Sequence, residues 1–138
     1  MECTVTVFRS DPEAIPVPSS SLHQHLGELL ASKAWSDVTF TVSGESFPAH
    51  KNVLAVRSPV FMAEFFGHMK EKRSQRVEIK DMDAAILGAM LRFIYTDSLS
   101  DELADHGDRI AIARGLLVVA DRYGMERLKL ICDDMLCS

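Results

Sequence analysis

Side chains able to hold a metal or do covalent chemistry are few and scattered along this chain. Three cysteines, Cys3, Cys132 and Cys137, make an odd set without a CxxC pair, and among the five histidines His23 and His25 sit two apart with no cysteine near. A tetrahedral zinc site needs four nitrogen or sulfur ligands at short spacing, so no metal is expected. Three cysteines without a partner pattern read instead as reduced thiols of a nuclear and/or cytoplasmic protein. His50 and Cys132 could serve as base and nucleophile only if the fold joined them. A packed histidine and a buried helical thiol are the plainer expectation. No Gly-rich phosphate loop, HExxH or GxSxG is present, so neither a catalytic residue nor a cofactor is expected and the chain reads as non-enzymatic. Leu26-Gly27-Glu28-Leu29-Leu30 has the LxxLL spacing of receptor-docking helices, although any leucine-faced helix generates it. Asp97, Asp101, Glu102, Asp105 and Asp108 share a stretch with no Lys or Arg, which reads as a solvated loop before it reads as an acidic docking site.

The elements that would position such groups belong to one domain, since 138 residues suffice for one and not for two. Hydrophobic residues are 47% and charged residues 25%, the balance of a globular chain. Fifteen basic against 20 acidic residues give a net charge of −5 and a pI near 5.5, which argues against nucleic-acid binding through a global basic field. Apolar runs are a few residues long, so no membrane span is expected, and no charged segment leads into an apolar one at the N-terminus to suggest secretion.

Cys3 to Phe8 alternates like a strand and is followed by Pro12, Pro16 and Pro18, which read as an extended linker. A lone strand needs a sheet, so this one pairs with a partner chain or ends a domain that is absent here. Ser21 to Gln24 fits a capping box, and Leu22, Leu26, Leu29 and Leu30 then share one helical face. From Asp37 the period is two: Val38, Phe40 and Val42 face one side, and Ser43-Gly44-Glu45 turns the chain back into Phe47. His50 to Val56 is a short helix. Ser58 caps a second, opened by Pro59 and carrying Phe61, Met62, Phe65 and Phe66. Val77 to Ile79 is a strand, and Asp81 or Asp83 caps a helix burying Ile86, Leu87, Met90, Leu91 and Ile94. Ile110 to Arg122 is apolar nearly all round, hence central. Gly124 stops it before a last helix marked by Leu128, Ile131, Met135 and Leu136. One helix, a hairpin, two short helices, a strand and three helices make an α+β arrangement, mainly helical with a small β-sheet on one side.

One block is more specific than any of these patterns. Asp37-Val38-Thr39-Phe40 followed by Phe47-Pro48-Ala49-His50-Lys51-Asn52-Val53-Leu54-Ala55-Val56-Arg57-Ser58-Pro59-Val60-Phe61 resembles the BTB/POZ signature, a strand opening on Asp and then HKxxLAxxSPxF. Phe93-Ile94-Tyr95-Thr96 resembles the family's FxYT segment, and Ala120 to Lys129 its closing AxxYxxxxLK. Glu2 to Val7, the proline linker and Glu64 to Lys72 are similar to plant MATH-BTB proteins, relatives of the animal speckle-type POZ protein. On that resemblance, residues 1–8 are the remnant of the last MATH strand, 9–19 the linker and 20–138 the BTB/POZ domain. Substrates would be chosen only through a MATH domain absent here.

The resemblance implies a BTB/POZ fold with two binding surfaces and no active site. Family members dimerise through the first helix and the start of the next strand, which carries over to Leu22, Leu26, Leu29, Leu30, Asp37 and Lys51, the last two expected to lie close together. Adaptor members hold the N-terminal region of a type-3 cullin, the scaffold of a RING ubiquitin ligase, with the second short helix and the loop after it. That carries over to Phe65, to Met69 and Glu71 as a φ-x-E motif, and to Tyr123. The alternative is a transcriptional-repressor BTB module binding corepressor peptides in a dimer groove. The zinc-binding His/Cys set of the channel tetramerisation branch is missing.

Overall fold

A computed structural model describes residues 16–67, 75–99 and 106–137, with side chains from residue 109 in the last stretch. Helix α1 (Leu22–Ser32) begins without the expected capping box. Ser21 occupies the cap position at φ −109, ψ 14, outside the extended region that aims a cap hydroxyl inward, and makes no side-chain cap bond. The Ser20 hydroxyl accepts from the Leu22 N–H instead, at 3.3 Å. α1 closes on Lys33 in the left-handed region, whose N–H donates to the Leu29 carbonyl.

Strands β1 (Val38–Val42) and β2 (Glu45–Ala49) form the expected hairpin, with Val38 opposite Ala49 and Val42 opposite Glu45. Its two-residue turn needs positive φ at both positions, which Ser43 (φ 51) and Gly44 (φ 84) supply. Val38, Phe40 and Val42 point into the core. Pro48, which has no N–H to donate, lies on this edge strand. Two short helices follow, α2 (Lys51–Arg57) and α3 (Pro59–Phe66), and the chain returns as β3 (Gln75–Glu78), parallel to β1, so the sheet order is β2-β1-β3. The strand expected at 77–79 begins two residues earlier, and Ile79 still donates to the Thr41 carbonyl at 2.9 Å.

Helix α4 (Ala84–Thr96) starts after Asp83, which holds the cap position without a side-chain bond, while Asp81 pairs with Arg122 at 2.9 Å. α5 (His106–Arg122) packs on α4 and on α6 (Glu126–Cys137). The expectation that α5 is buried all round is corrected. Ala113, Leu116, Val119 and Ala120 are buried, but Ile110 and Val118 are exposed, because both packing neighbours engage the opposite side. Gly124 (φ 70) ends α5 in a left-handed cap, with Met125 N–H donating to Ala120 O at 2.8 Å and Gly124 N–H to Asp121 O at 3.4 Å. The core gathers Phe40, Leu54, Phe61, Leu87, Phe93 and Leu128 from the sheet and from α2, α3, α4 and α6. The element order is the one read from the periodicities.

Candidate functional site

Two regions of the surface carry exposed large apolar side chains beside the sequence-predicted site residues. The first is laid out around the start of β1. The Asp37 carboxylate accepts the Lys51 backbone N–H at 2.8 Å, so the two residues expected to be neighbours are joined at the N-terminus of α2. Lys51 is buried, with its ammonium 5.9 Å from the centre of the Phe65 ring. His50 beside it ties three elements. Its Nε2 lies 2.6 Å from the Ala34 carbonyl, which only accepts, so Nε2 carries the proton. Nδ1 then accepts from the Tyr95 hydroxyl at 2.7 Å, and that oxygen accepts the His50 backbone N–H at 2.8 Å. Burial holds the Tyr95 phenol neutral and pushes its pKa up to about 12, with the nearby Asp37 charge acting the same way and the His50 N–H opposing.

Above this tie runs α1. Leu26, Leu29 and Leu30 pack partly against the core through α4, whereas Leu22 is 64% exposed. Three of the four leucines are thus partly used by this chain's own core, and Leu22 is left to solvent. Between α1 and α2 lies an apolar groove of about 270 Å³, lined by Leu26, Asn52, Val53, Val56, Arg57 and Ile94. Val56 on its rim is 85% exposed, and Trp35 at the entry to β1 is 86% exposed.

The second region is α3. Its N-cap Ser58 is fully buried; the hydroxyl accepts from the Phe61 N–H at 3.2 Å and donates to the Tyr123 carbonyl at 2.6 Å, fastening α3 to the end of α5. Phe61 stacks on Phe65 at 5.6 Å and on Tyr123 at 4.5 Å between ring centres. Phe65 is only 5% exposed, so it is a core ring in this chain and not the surface contact expected of it. The outward stripe is Met62 and Phe66, 58% and 53% exposed. Tyr123 is half-buried; burial first, and then the Glu64 charge, raise its pKa. Met69 and Glu71 lie outside the described residues, as do residues 1–15 with Cys3 and most of the acidic segment.

The BTB/POZ domain family matches residues 26–138. The chain belongs to that family. This BTB/POZ chain is 40% identical over 148 residues to BTB/POZ and MATH domain-containing protein 3 of Arabidopsis thaliana, covering 100% of the chain and 36% of that protein. It is 38% identical over 152 residues to protein 4 of the same name and organism, covering 100% and 32%. The chain thus spans about a third of the length of these curated relatives. The fold is shared with the BTB domain of zebrafish PATZ1 (TM-score 0.66, 24% identity, 88% of this chain and 98% of that one). The BTB domain of human gigaxonin matches similarly (TM-score 0.63, 19% identity, 90% and 98%).

Within the BTB/POZ chain, the structure joins Asp37 to Lys51 and gathers Phe65 and Tyr123 around Phe61, while Leu22 stands apart from the other leucines. Sequence reading missed Val53 and Val56 as a groove wall and Met62 and Phe66 as an outer stripe. The signal was there as spacings of three and four on α2 and α3. The imagined His50–Cys132 pair has no support: both His50 ring nitrogens are engaged elsewhere, and burial pushes the Cys132 thiol up to about 11. Among the described residues no three of His, Cys, Asp and Glu gather as metal ligands, and no helix is long and apolar enough to cross a membrane. A cleft of about 400 Å³ beside α5 is lined by Lys80, Asp81, Asp83 and Arg122, with the Asp81–Arg122 pair satisfied internally.

Proposed function

We propose that this BTB/POZ chain is a non-catalytic dimerisation and adaptor module that links substrates to a type-3 cullin RING ubiquitin ligase. The observation that carries the reading is the apolar groove between α1 and α2, with Val56 and Leu22 left to solvent on a helix pair that one chain does not finish covering. A second copy supplies the same surface, and a two-fold contact that buries it satisfies both copies at once. Asp37 and Lys51 stand beside this seam, their joint already made within each chain.

The cullin end of the adaptor is the α3 face. Met62 and Phe66 give it an apolar stripe on a helix anchored by buried aromatic rings, the arrangement in which anchors keep their geometry in the free protein. Met69-Lys70-Glu71 continues the chain from that helix; a flexible thioether fills an apolar pocket and a carboxylate meets donors on the cullin. Substrates reach the complex through a MATH domain such as the one named in the Arabidopsis relatives. The place of action is the nucleus and/or the cytoplasm.

Calorimetric titration of the full chain into the N-terminal region of a type-3 cullin tests the adaptor role. The wild type binds, and Met69→Ala with Glu71→Ala costs about 2–4 kcal/mol of binding while the dimer persists. Absence of wild-type binding removes the adaptor function, and unchanged affinity in the double variant removes the φ-x-E assignment.

A further inference from the structure

Trp35 is the single tryptophan of the chain, and the fold leaves its ring in water. It sits in the turn from α1 to β1 at φ 59, two residues after Lys33 at φ 62. A bulky L-residue keeps a positive φ only where its surroundings impose it. Here the chain is pinned on both sides. The Ala34 carbonyl accepts from His50 Nε2 at 2.6 Å, and the Ala34 N–H donates to the Ser32 hydroxyl at 3.3 Å. Beyond Trp35, the Asp37 N–H donates to the Ala49 carbonyl at 3.1 Å, and the Asp37 carboxylate accepts the Lys51 N–H at 2.8 Å. An indole held outward at a strained position gains nothing inside its own chain, which points to a second surface that receives it.

The same ties place Trp35 at one end of the α1–α2 groove. His50 and Lys51 open α2 beside residues 34–37, so the end of α1 lies by the start of α2, with Leu22 toward the other end. An apolar cavity of roughly 150 Å³ holds a benzene ring. The groove offers about 270 Å³, room for the larger indole. Two groups on its wall suit that ring. The Asn52 side-chain oxygen accepts the Val53 N–H at 2.8 Å and keeps a second lone pair for the indole N–H. Arg57 is ion-paired with Asp97 at 2.6 Å, so it does not oppose an apolar occupant as an unpaired charge.

We infer that Trp35 is the anchor of the dimer: in a two-fold pair it enters the α1–α2 groove of the second copy, and the second copy's indole enters the groove of the first. On a self-complementary face, a residue at one end meets the opposite end of its partner, so both grooves are filled by one contact made twice. Each indole brings roughly 200 Å² of surface. That is about a quarter of the ~800 Å² per partner that a stable interface buries, and Val56 and Leu22 extend the same patch. The inference rests on dimerisation through this groove and names what fills it.

Because the chain has one tryptophan, its fluorescence reports this residue alone. Sedimentation and emission spectra are followed over one dilution series of the full chain. The dimer shows a blue-shifted maximum and weaker acrylamide quenching than the dissociated chain. Trp35→Gly suits the positive φ and keeps the fold, yet raises the dimer Kd by about 30-fold or more. Val56→Asp, on the groove rim, weakens the dimer as well. An equal mixture of the two variants recovers a heterodimer, since one intact Trp35 then meets one intact groove. A dimer whose Trp35 emission is unchanged on dissociation, a Kd unmoved by Trp35→Gly, or a mixture no tighter than either variant alone overturns the anchor while dimerisation stands. A wild-type chain that stays monomeric up to millimolar concentration overturns both.

Discussion

Helices α1 and α3 are both short and rich in large apolar side chains, yet they relate to the core in opposite ways. α1 has no buried residue; its leucines are half covered by α4, and Leu22 is left out. α3 sinks Phe61 and Phe65 into the interior and is fastened at its cap by Ser58, so its outer stripe rides on a rigid base. The difference teaches that apolar content alone does not make a docking face. A helix anchored on one side can present anchors on the other, whereas a helix that is half covered all along is completed only by further contacts.

The contrast breaks most readily at the aromatic stack. Phe61→Ala should cost about 3–5 kcal/mol of folding stability by urea denaturation, because it leaves a cavity between Phe65 and Tyr123. Leu22→Ala should stay within about 0.5 kcal/mol. Comparable losses at the two positions would mean that α1 is as firmly rooted as α3.

Next in size is Val56→Asp. Its side chain is free in the single chain, so the fold should keep its stability within about 0.5 kcal/mol. A charge buried in an apolar seam should weaken the dimer by about 2–4 kcal/mol. Sedimentation across a concentration series reads the loss, and a dimer indifferent to Val56 would move the interface away from the α1–α2 groove.

Ser58→Ala removes a cap bond and a tie to Tyr123 together, for about 1–3 kcal/mol. Near-ultraviolet dichroism should report the loosened Tyr123–Phe61 stack. A variant as stable as the wild type would show that the aromatic stack alone holds α3.

The mildest effect is one of pH. Folding raises the Tyr95 pKa from 10.0 to about 12, so the folded state keeps the phenol proton more tightly than the unfolded state does. The associated stability is fully present below pH 10 and is lost as pH rises through about 12. Tyr95→Phe should abolish that part of the alkaline loss, measured as denaturation midpoint against pH. An identical alkaline limb in the variant would assign it to other groups, Cys132 among them, whose thiol is raised to about 11 by burial.

Most of the fold was legible in the sequence. Period-two alternation at Val38, Phe40 and Val42, Ser43-Gly44 at the turn, Ser58-Pro59 at a cap and Gly124 at a helix end are local rules whose outcome depends on the nearest few residues. The joint of Asp37 with Lys51 was legible as a motif, and the structure makes it through a backbone N–H. Three-dimensional packing decided which apolar residues remain outside. Phe65 and Phe66 are adjacent in sequence and alike in chemistry, but one stacks on Phe61 in the core and the other faces solvent, because an eight-residue helix packed along one side buries a single stripe. The same holds for Ile110 and Val118 on α5, and for Val56 on α2. Periodicity gives the spacing of a face, and only the neighbours packed against a helix determine which face is covered.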